Sequence, residues 1–295
     1  MTASSAEAWR CQVGECLLLP ALAASLPWRF AWPLLQGLAH RGALFKDGAA
    51  RAVEAASQRG FGTDPVAWTT AHRLMRIIDQ VDPALSSTRS DRWMDRHLVA
   101  DGDTLPPGPC VFVGFHYGTG FWSLRHIRRL GHRVSFLSTP IDASQGAGEP
   151  LRRAFMHWRM RQVERAGGAP VIYVGGSVEK IRAALRDGVS ILGMVDVPEP
   201  SSTGRAQLPF LGGIARFPDG LVRLAASERV PLVAYVARFD PRTGGRQLTL
   251  TNLPIGEEDP MRSLAAMLER AVREDPAAWH LWEHWPLFIE TPPAR

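Results

Sequence analysis

An apolar run at residues 111–115 leads directly into His116, which is followed by a loop with glycines at 118 and 120 and by a helical pattern from about residue 120. In α/β proteins, a strand that ends in a polar residue beside small residues presents side chains at the carboxyl edge of the sheet. An imidazole at such an edge accepts protons near neutral pH. His116 is therefore the first candidate base, and the alternative is a structural histidine bonded to a backbone carbonyl.

Strand-like and helical patterns alternate along the rest of the chain. We predict strands at 110–115, 133–138, 170–174, 189–195, 231–239 and 246–251, and helices at 120–130, 149–165, 177–187, 218–227 and 261–274. Strands separated by helices of this length form parallel sheets. The turn at Gly244-Gly245 predicts a terminal hairpin, so we expect an α/β fold with a mixed, mostly parallel central sheet and helices on both faces. Residues 101–109 and 196–213 are predicted loops.

Residues 1–100 are predicted to form a helical segment that packs on an α/β core at 101–295, in one structural unit. Within it, the apolar stretches 17–26 and 30–38 are each too short to span a bilayer. They fit a helical hairpin at a membrane interface, with Trp28 and Trp32 at the headgroup boundary. The alternative is a pair of core helices.

A further helix is predicted to begin at Asp64-Pro65, where the acid caps the first turn. Because proline interrupts helices, we expect it to stop near Pro83.

The chain carries a net charge of +5, and all but two of its 34 basic residues are arginine. Nine arginines lie between residues 125 and 165 and face only three acids (the arginines are Arg125, Arg128, Arg129, Arg133, Arg152, Arg153, Arg159, Arg161 and Arg165). Such a face suits an anionic partner: phospholipid headgroups, an acidic carrier protein, a phosphorylated substrate or nucleic acid. The alternative is a solvated surface. Because no nucleic-acid-binding motif accompanies the arginines, nucleic acid is not expected.

Other motifs point to chemistry less specifically. Gly175-Gly176-Ser177 precedes a helix, which suits either phosphate binding or an ordinary serine cap. Asp196 follows a strand, where it could serve catalysis or a salt bridge. Residues 280–284 match a His-x-x-Glu-His pattern but lack a third zinc ligand far downstream. The three cysteines have no metal-binding spacing, so we expect no metal and no cofactor.

In order and spacing, several blocks resemble the bacterial lipid A late acyltransferases (the lauroyl and myristoyl transferases) of the lysophospholipid acyltransferase superfamily. The blocks lie at 111–116, 158–168, 185–212 with 230–235, and 273–284, and the resemblance covers about residues 20–290. It implies a base at His116 that deprotonates an acceptor hydroxyl for attack on an acyl thioester.

The resemblance also implies an acid after a four-residue gap, but Phe121 stands at that position. Three outcomes are open. Another acid, with Asp196 as the candidate, replaces it in space; His116 works alone; or the protein binds without catalysing. The resemblance maps a substrate-contacting arginine onto Arg161 or Arg165.

We therefore predict an acyltransferase with His116 and Asp196 as catalytic residues. Its substrate-binding residues are expected to be Arg161, Arg165, Tyr117, Thr119, Phe121 and Trp122. The donor would be acyl carrier protein or acyl-CoA, and the acceptor a hydroxyl or amine of a lipid or metabolite. The expected location is cytoplasmic and peripheral on the inner membrane, against its anionic surface. The alternative is an inactive acyltransferase-like protein that binds an acyl carrier or lipid.

Overall fold

The computed structural model describes residues 3–141, 149–197, 205–254 and 259–288. In chain order the helices are α1 (Ala3–Val13), α2 (Leu19–Ser25), α3 (Trp28–Arg41), α4 (Lys46–Ser57), α5 (Pro65–Thr88), α6 (Asp91–Asp95), α7 (Phe121–Arg129), α8 (Pro150–Gly167), α9 (Val178–Arg186), α10 (Gly220–Glu228) and α11 (Pro260–Glu274). The strands are β1 (Leu98–Gly102), β2 (Val111–Gly114), β3 (Val134–Ser138), β4 (Ile172–Tyr173), β5 (Ser190–Met194), β6 (Arg205–Phe210), β7 (Gly213–Pro218), β8 (Leu232–Asp240) and β9 (Gly245–Leu253). Short π and 3-10 turns lie at Gly14–Leu18, Pro276–Ala278 and Trp282–Leu287.

The central sheet has seven strands in the order β1-β9-β8-β2-β5-β3-β4. Its neighbours run parallel except β8 and β9, which pair antiparallel as a hairpin. The predicted α/β fold with a mixed, mostly parallel sheet is confirmed. β2 and β5 are the central strands and are almost wholly buried, as expected for strands covered on both faces.

The direction in which the chain moves across the sheet reverses after β4. The connections through α7 and α8 step from β2 towards β4, whereas those through α9 and α10 step back towards β8. Since parallel crossovers are right-handed, the first two helices cover one face and the last two cover the other. β2 and β5 are therefore neighbours whose outgoing connections leave towards opposite faces.

Three described strands, β1, β6 and β7, lie where no strand was predicted. Residues 98–102 form the edge strand β1, and its pairing with β9 joins segments far apart in the chain. β6 and β7 form a separate antiparallel hairpin where a loop to residue 213 was predicted. Phe210 of this hairpin packs on Trp279 and Trp285 near the carboxyl terminus. The pairing of β1 and the packing of the β6–β7 hairpin on the closing segment join residues far apart in the chain, and a local pattern does not reveal such contacts.

The prediction that the helix begun at Asp64-Pro65 stops near Pro83 is wrong, because α5 continues to Thr88 with the proline inside it. A proline lacks the N–H that would bond the carbonyl four residues earlier, here that of Asp79. Arg159 of α8 supplies the missing donor, since its Nη1 lies 2.8 Å from the Asp79 carbonyl oxygen. A tertiary contact thus satisfies the acceptor that the proline leaves unbonded.

The amino-terminal helices pack on the α/β part through buried side chains. Ala31 and Leu35 of α3 are fully buried, and one hydrophobic cluster contains them together with β2, β8 and β9 residues. Trp28 and Trp32 are only 7% and 8% exposed, so the predicted headgroup position for these rings is wrong. Other apolar side chains of this segment stay exposed, among them Leu18 and Phe30. Among the described residues, we find no helix long and apolar enough to cross a membrane.

Arg246 of β9 is buried at the junction between these helices and the sheet. It forms an ion pair with Asp82 of α5, which is also fully buried. Its guanidinium lies 3.9 Å from the ring centre of Trp122 and 5.2 Å from that of Trp28. Burial raises the pKa of Asp82 to about 6, although Arg246 opposes this rise. Cation–π contacts replace part of the hydration that the guanidinium loses.

We predict that Asp82→Asn destabilises the protein by about 3–5 kcal/mol, because a buried guanidinium then lacks its counter-charge. The double variant Asp82→Leu/Arg246→Met should recover most of that loss, since it removes both charges. Urea unfolding of the wild type and both variants measures the difference. A cost of less than about 1 kcal/mol for Asp82→Asn would show that the pair does not hold this junction together.

Candidate active site

The sheet register brings His116 and Asp196 together. β2 pairs with β5 from Val111 opposite Ile191 to Gly114 opposite Met194. Continuing this pairing by two residues beyond each strand reaches His116 and Asp196. They lie at the carboxyl edge, where the outgoing connections leave towards opposite faces of the sheet. Such a switch point is where open α/β sheets form their ligand crevice.

Asp196 is fully buried, and its carboxylate is bonded to groups from two other parts of the chain. The backbone N–H of His116 lies 2.9 Å from each carboxylate oxygen. Nδ1 of the His116 ring lies 3.0 Å from Oδ1, and Nε1 of Trp279 donates to Oδ2 at 3.0 Å. A buried charge needs such hydrogen bonds, and here they also fix the imidazole.

This geometry sets the tautomer of the imidazole. A carboxylate only accepts, so Nδ1 carries the proton and Nε2 has the lone pair when the ring is neutral. The His116 side chain is 40% exposed, so the ring is open to solvent on the side away from Asp196. Burial lowers the pKa of His116, but the charge and hydrogen bonds of Asp196, together with the charge of Asp79, outweigh burial, and the net pKa is above the ordinary value of 6.5. The pair has the arrangement of a general base and its orienting acid.

Asp196 is the acid that lies against the imidazole, which is the spatial arrangement required by the first of the three outcomes; its catalytic role stays a prediction. Phe121 begins α7 and is buried. The acid therefore reaches His116 from the neighbouring strand instead of from the following helix.

The segment after α11 clamps the His116 loop. Tyr117 forms an antiparallel bridge with Trp279. The His280 N–H donates to the His116 carbonyl at 2.9 Å, and the Gly118 N–H donates to the Ala278 carbonyl at 2.9 Å. The His280 ring bonds the Gly118 carbonyl through Nε2 at 2.8 Å. These bonds fix the backbone on both sides of the candidate base.

Gly118 is required by its surroundings. Its φ is +63°, and a Cβ placed there would lie 1.8 Å from the Ala237 carbonyl oxygen of β8. Any side chain would therefore push the His116 loop away from the sheet.

The remaining predicted substrate-binding residues of this loop and of α7 make internal contacts. Tyr117 donates to the Ala271 carbonyl at 2.9 Å, and Trp122 packs on Arg246. Thr119 is 1% exposed, and its hydroxyl has no hydrogen-bond partner among the described residues. Their predicted contact with substrate stays a prediction, but the contacts they make here hold the loop in place.

Arg159 of α8 contacts Phe121, the first residue of α7, and the sequence analysis did not single it out. Its guanidinium centre lies 5.8 Å from the Phe121 ring centre, and Nη2 donates to Asp79 Oδ1 at 2.8 Å. Asp79 in turn contributes to the raised pKa of His116. Pro83 was the one sequence signal that could have indicated a contact at Asp79. If the helix continues through a proline, the carbonyl four residues earlier, that of Asp79, has no helical N–H to bond and needs another donor.

Arg161 and Arg165 are exposed and occupy the last two turns of α8. Residues two apart on a helix point about 200° apart, so Arg161 faces away from the side on which Arg159 meets Phe121. The Arg165 carbonyl accepts a hydrogen bond from the Arg128 side chain. Arg128 lies in the last turn of α7, about 10 Å along the helix from its start beside the His116 loop. Substrate contact by Arg161 or Arg165 stays a prediction, and the structure does not bring either next to His116.

Four of the nine arginines in this segment form ion pairs within the described chain, and all of the acids involved except Glu149 lie outside the segment. The carboxylate partners are Asp91 for Arg125, Asp95 for Arg129, Glu15 and Glu149 for Arg152, and Asp79 for Arg159. The positive charge counted from the sequence of this segment is therefore larger than the positive charge that its surface presents.

The contacts of two other motifs differ from those predicted, and phosphate binding at Gly175-Gly176-Ser177 stays a prediction. Ser177 precedes α9 but its side chain makes no capping hydrogen bond. In the His-x-x-Glu-His pattern, His280 bonds Gly118 and Glu283 bonds Arg51 at 2.7 Å. The pattern spans a 3-10 turn, and no group of three or more metal-ligating side chains occurs within the described ranges.

No protein-family model matches the chain, and no curated protein matches its sequence. The geometry around His116 is therefore the basis for interpreting its function.

We predict that Asp196→Asn lowers the pKa of His116, because burial still disfavours the imidazolium while the negative charge that opposes burial is gone. NMR titration of the histidine ring protons measures this. His132, near the far end of α7, serves as an internal reference whose pKa should stay unchanged. An unchanged His116 pKa in the variant would contradict the proposed coupling.

Two buried histidines predict acid sensitivity. Burial lowers the pKa of His72 to about 3 and that of His280 to about 4, although the Ala277 carbonyl and Asp79, respectively, oppose these changes. Below about pH 6.5 the unfolded chain binds protons that the folded chain excludes, so stability is complete above that pH and is lost as pH falls. As pH falls from about 7 to about 5.5, each histidine should lower the free energy of unfolding by about 1 kcal/mol.

Urea unfolding across that range tests this prediction. His280→Gln should reduce the slope of stability against pH, whatever its effect on stability at neutral pH. A slope equal to that of the wild type would exclude His280 as a source of the acid sensitivity.

Proposed function

We propose that the protein is an acyltransferase that moves an acyl group from a thioester, on acyl carrier protein or CoA, to a hydroxyl or amine. The observation that supports this proposal is the His116–Asp196 hydrogen bond at the carboxyl edge of the sheet, with the side chain of His116 partly exposed so that the opposite ring nitrogen is available to an incoming acceptor. In this reaction Nε2 takes the proton of the acceptor, whose oxygen or nitrogen attacks the thioester carbonyl. The carbonyl–sulfur bond breaks, and the thiolate leaves with the proton returned by His116.

Asp196 orients the ring and stabilises the imidazolium that forms during attack. Arg159 and the main-chain N–H groups in the first turn of α7 are our candidates for stabilising the oxyanion, since both adjoin the His116 loop. The site would then be shaped by the buried residues that support the His116 loop: Tyr117, Thr119, Phe121 and Trp122. The alternative is an inactive binder, which we considered because Phe121 stands where the resemblance implies an acid. The His116–Asp196 pair favours an active enzyme over this alternative.

The partners and location remain part of the proposal. The exposed apolar side chains Leu17, Leu18, Phe30 and Leu34 support peripheral attachment to the cytoplasmic face of the inner membrane. Exposed arginines such as Arg161 and Arg165 suit an anionic lipid surface or an acidic carrier. The acceptor is a lipid or a metabolite.

We predict that His116→Ala reduces release of free thiol from acyl-CoA or acyl carrier protein to the background rate. Asp196→Asn should lower the rate on the order of 10⁴-fold, by analogy with the orienting acid of serine proteases. His157→Ala, an exposed position on α8, is the matched control and should keep wild-type activity.

The pH dependence of the wild-type rate gives a second measurement. Because the pKa of His116 is above 6.5, activity should begin to fall on the acid side at a pH above that value. In Asp196→Asn the residual activity should persist to lower pH. Multiple-turnover thiol release that is equal in wild type and His116→Ala would eliminate the proposed base.

A further inference from the structure

Trp279 contacts the carboxylate that orients the candidate base. It follows the 3-10 turn at Pro276–Ala278, and its side chain is fully buried. Its indole Nε1–H donates to Asp196 Oδ2 at 3.0 Å, while Nδ1 of His116 lies 3.0 Å from the other oxygen, Oδ1. The two oxygens of one buried carboxylate are thus divided between the indole and the imidazole.

The indole is the one donor that belongs to Oδ2 alone within the described chain. The backbone N–H of His116 also reaches Oδ2, but it lies at the same 2.9 Å from Oδ1 and is shared between the two oxygens. A charged oxygen that is buried without a full hydrogen bond is strongly unfavourable. Without the indole, Asp196 would therefore have a reason to turn, or to take up a proton.

Two other buried tryptophans of the same segment do without a carboxylate. The indole N–H of Trp282 donates to the Pro276 carbonyl at 2.6 Å. That of Trp285 has no hydrogen-bond partner among the described residues. The packing of this segment thus accepts an indole whether or not it has a charged partner, and the bond to Asp196 is particular to position 279.

The direction of the Trp279 N–H is fixed by its neighbours. The ring meets Phe210 at 73° and Trp282 at 76°, with ring centres 5.7 Å and 5.1 Å away. Its backbone pairs with Tyr117, the residue directly after the candidate base. Rings on two sides and a paired backbone keep the N–H pointed at Oδ2.

We propose that Trp279 is a positioning residue for the base, which holds Oδ2 of Asp196 so that Oδ1 stays on Nδ1 of His116. The imidazolium that forms during attack needs this counter-charge at Nδ1. A carboxylate that turns away or becomes protonated withdraws it. The effect of Trp279 on the rate rests on the proposed function, but its effect on the imidazole does not.

Trp279→Phe keeps an aromatic ring and removes the N–H. The pKa of His116 should fall towards its value in Asp196→Asn, as titration of the histidine ring protons will measure. Loss of the N–H dipole by itself would raise that pKa, because the positive end of the dipole faces the pair, so a fall identifies lost position. Asp79 and His280 also interact electrostatically with His116, and the variant retains both.

The rate of thiol release from acyl-CoA or acyl carrier protein should fall about 10- to 100-fold in Trp279→Phe, the value of one hydrogen bond to a charged group. The loss should be in kcat, with KM for the donor unchanged. Because Trp279 acts through Asp196, adding Trp279→Phe to Asp196→Asn should change neither the rate nor the His116 pKa any further.

Trp282→Phe is the matched control. Trp282 is as fully buried as Trp279, and its indole N–H also makes one hydrogen bond, but to a backbone carbonyl. This variant should keep the wild-type His116 pKa and rate, even if it unfolds at a lower urea concentration.

A measurement on the wild type does not depend on the folding of any variant. The indole N–H proton resonance of Trp279 should shift with pH at the pKa of His116, because the carboxylate becomes a stronger acceptor when the imidazolium loses its charge. The corresponding resonance of Trp282 should stay constant over the same range.

Three results would overturn the proposal: a His116 pKa that is unchanged or raised in Trp279→Phe, a double variant slower than Asp196→Asn, or a Trp279 resonance that does not follow the titration. Wild-type thiol release no faster than that of His116→Ala would instead remove the proposed function. The pKa comparison would then still decide whether Trp279 positions the carboxylate.

Discussion

One buried carboxylate joins three separate parts of this protein. Asp196 follows β5, and it bonds the backbone and ring of His116 after β2 and the indole of Trp279 after α11. Burying a charge is unfavourable unless hydrogen bonds replace the lost water. The fold therefore keeps the carboxyl ends of the two central strands and the closing segment together, and in doing so it fixes the imidazole. If Asp196 moved, the loop, the ring and the closing segment would all lose their anchor.

The surroundings of that carboxylate rely on a second buried charge. Asp82 and Arg246 tie α5 to β9, and the guanidinium is enclosed by Trp28, Trp122 and Phe239. Trp122 belongs to α7, which begins directly after the His116 loop. A change at this ion pair would therefore be felt at the start of α7, as well as at the junction of the amino-terminal helices with the sheet. The amino-terminal segment thus contributes to the surroundings of the site in addition to carrying exposed apolar side chains.

Proline inside α5 shows how a local defect becomes a tertiary contact. The Asp79 carbonyl that Pro83 leaves unbonded accepts from Arg159, and the Asp79 carboxylate accepts from the same guanidinium. Two contacts on one residue hold an arginine beside Phe121. Arg159 thereby contacts the residue at which α7 begins, whereas substrate contact by Arg161 or Arg165 stays a prediction.

The sequence by itself determined the fold class and the position of the candidate base. Alternating apolar runs and helical patterns are local properties, and they predict a mostly parallel sheet with His116 at a strand end. It also nominated Asp196, as an acid at the end of another strand. Only the tertiary structure decided that these two strands are neighbours in a register that places Asp196 against His116. The same holds for β1, for the packing of the β6–β7 hairpin on Trp279 and Trp285, for the burial of Trp28 and Trp32, and for the place of Arg159. Each depends on contacts between residues far apart in the chain, and the free energy of such contacts is absent from any local pattern.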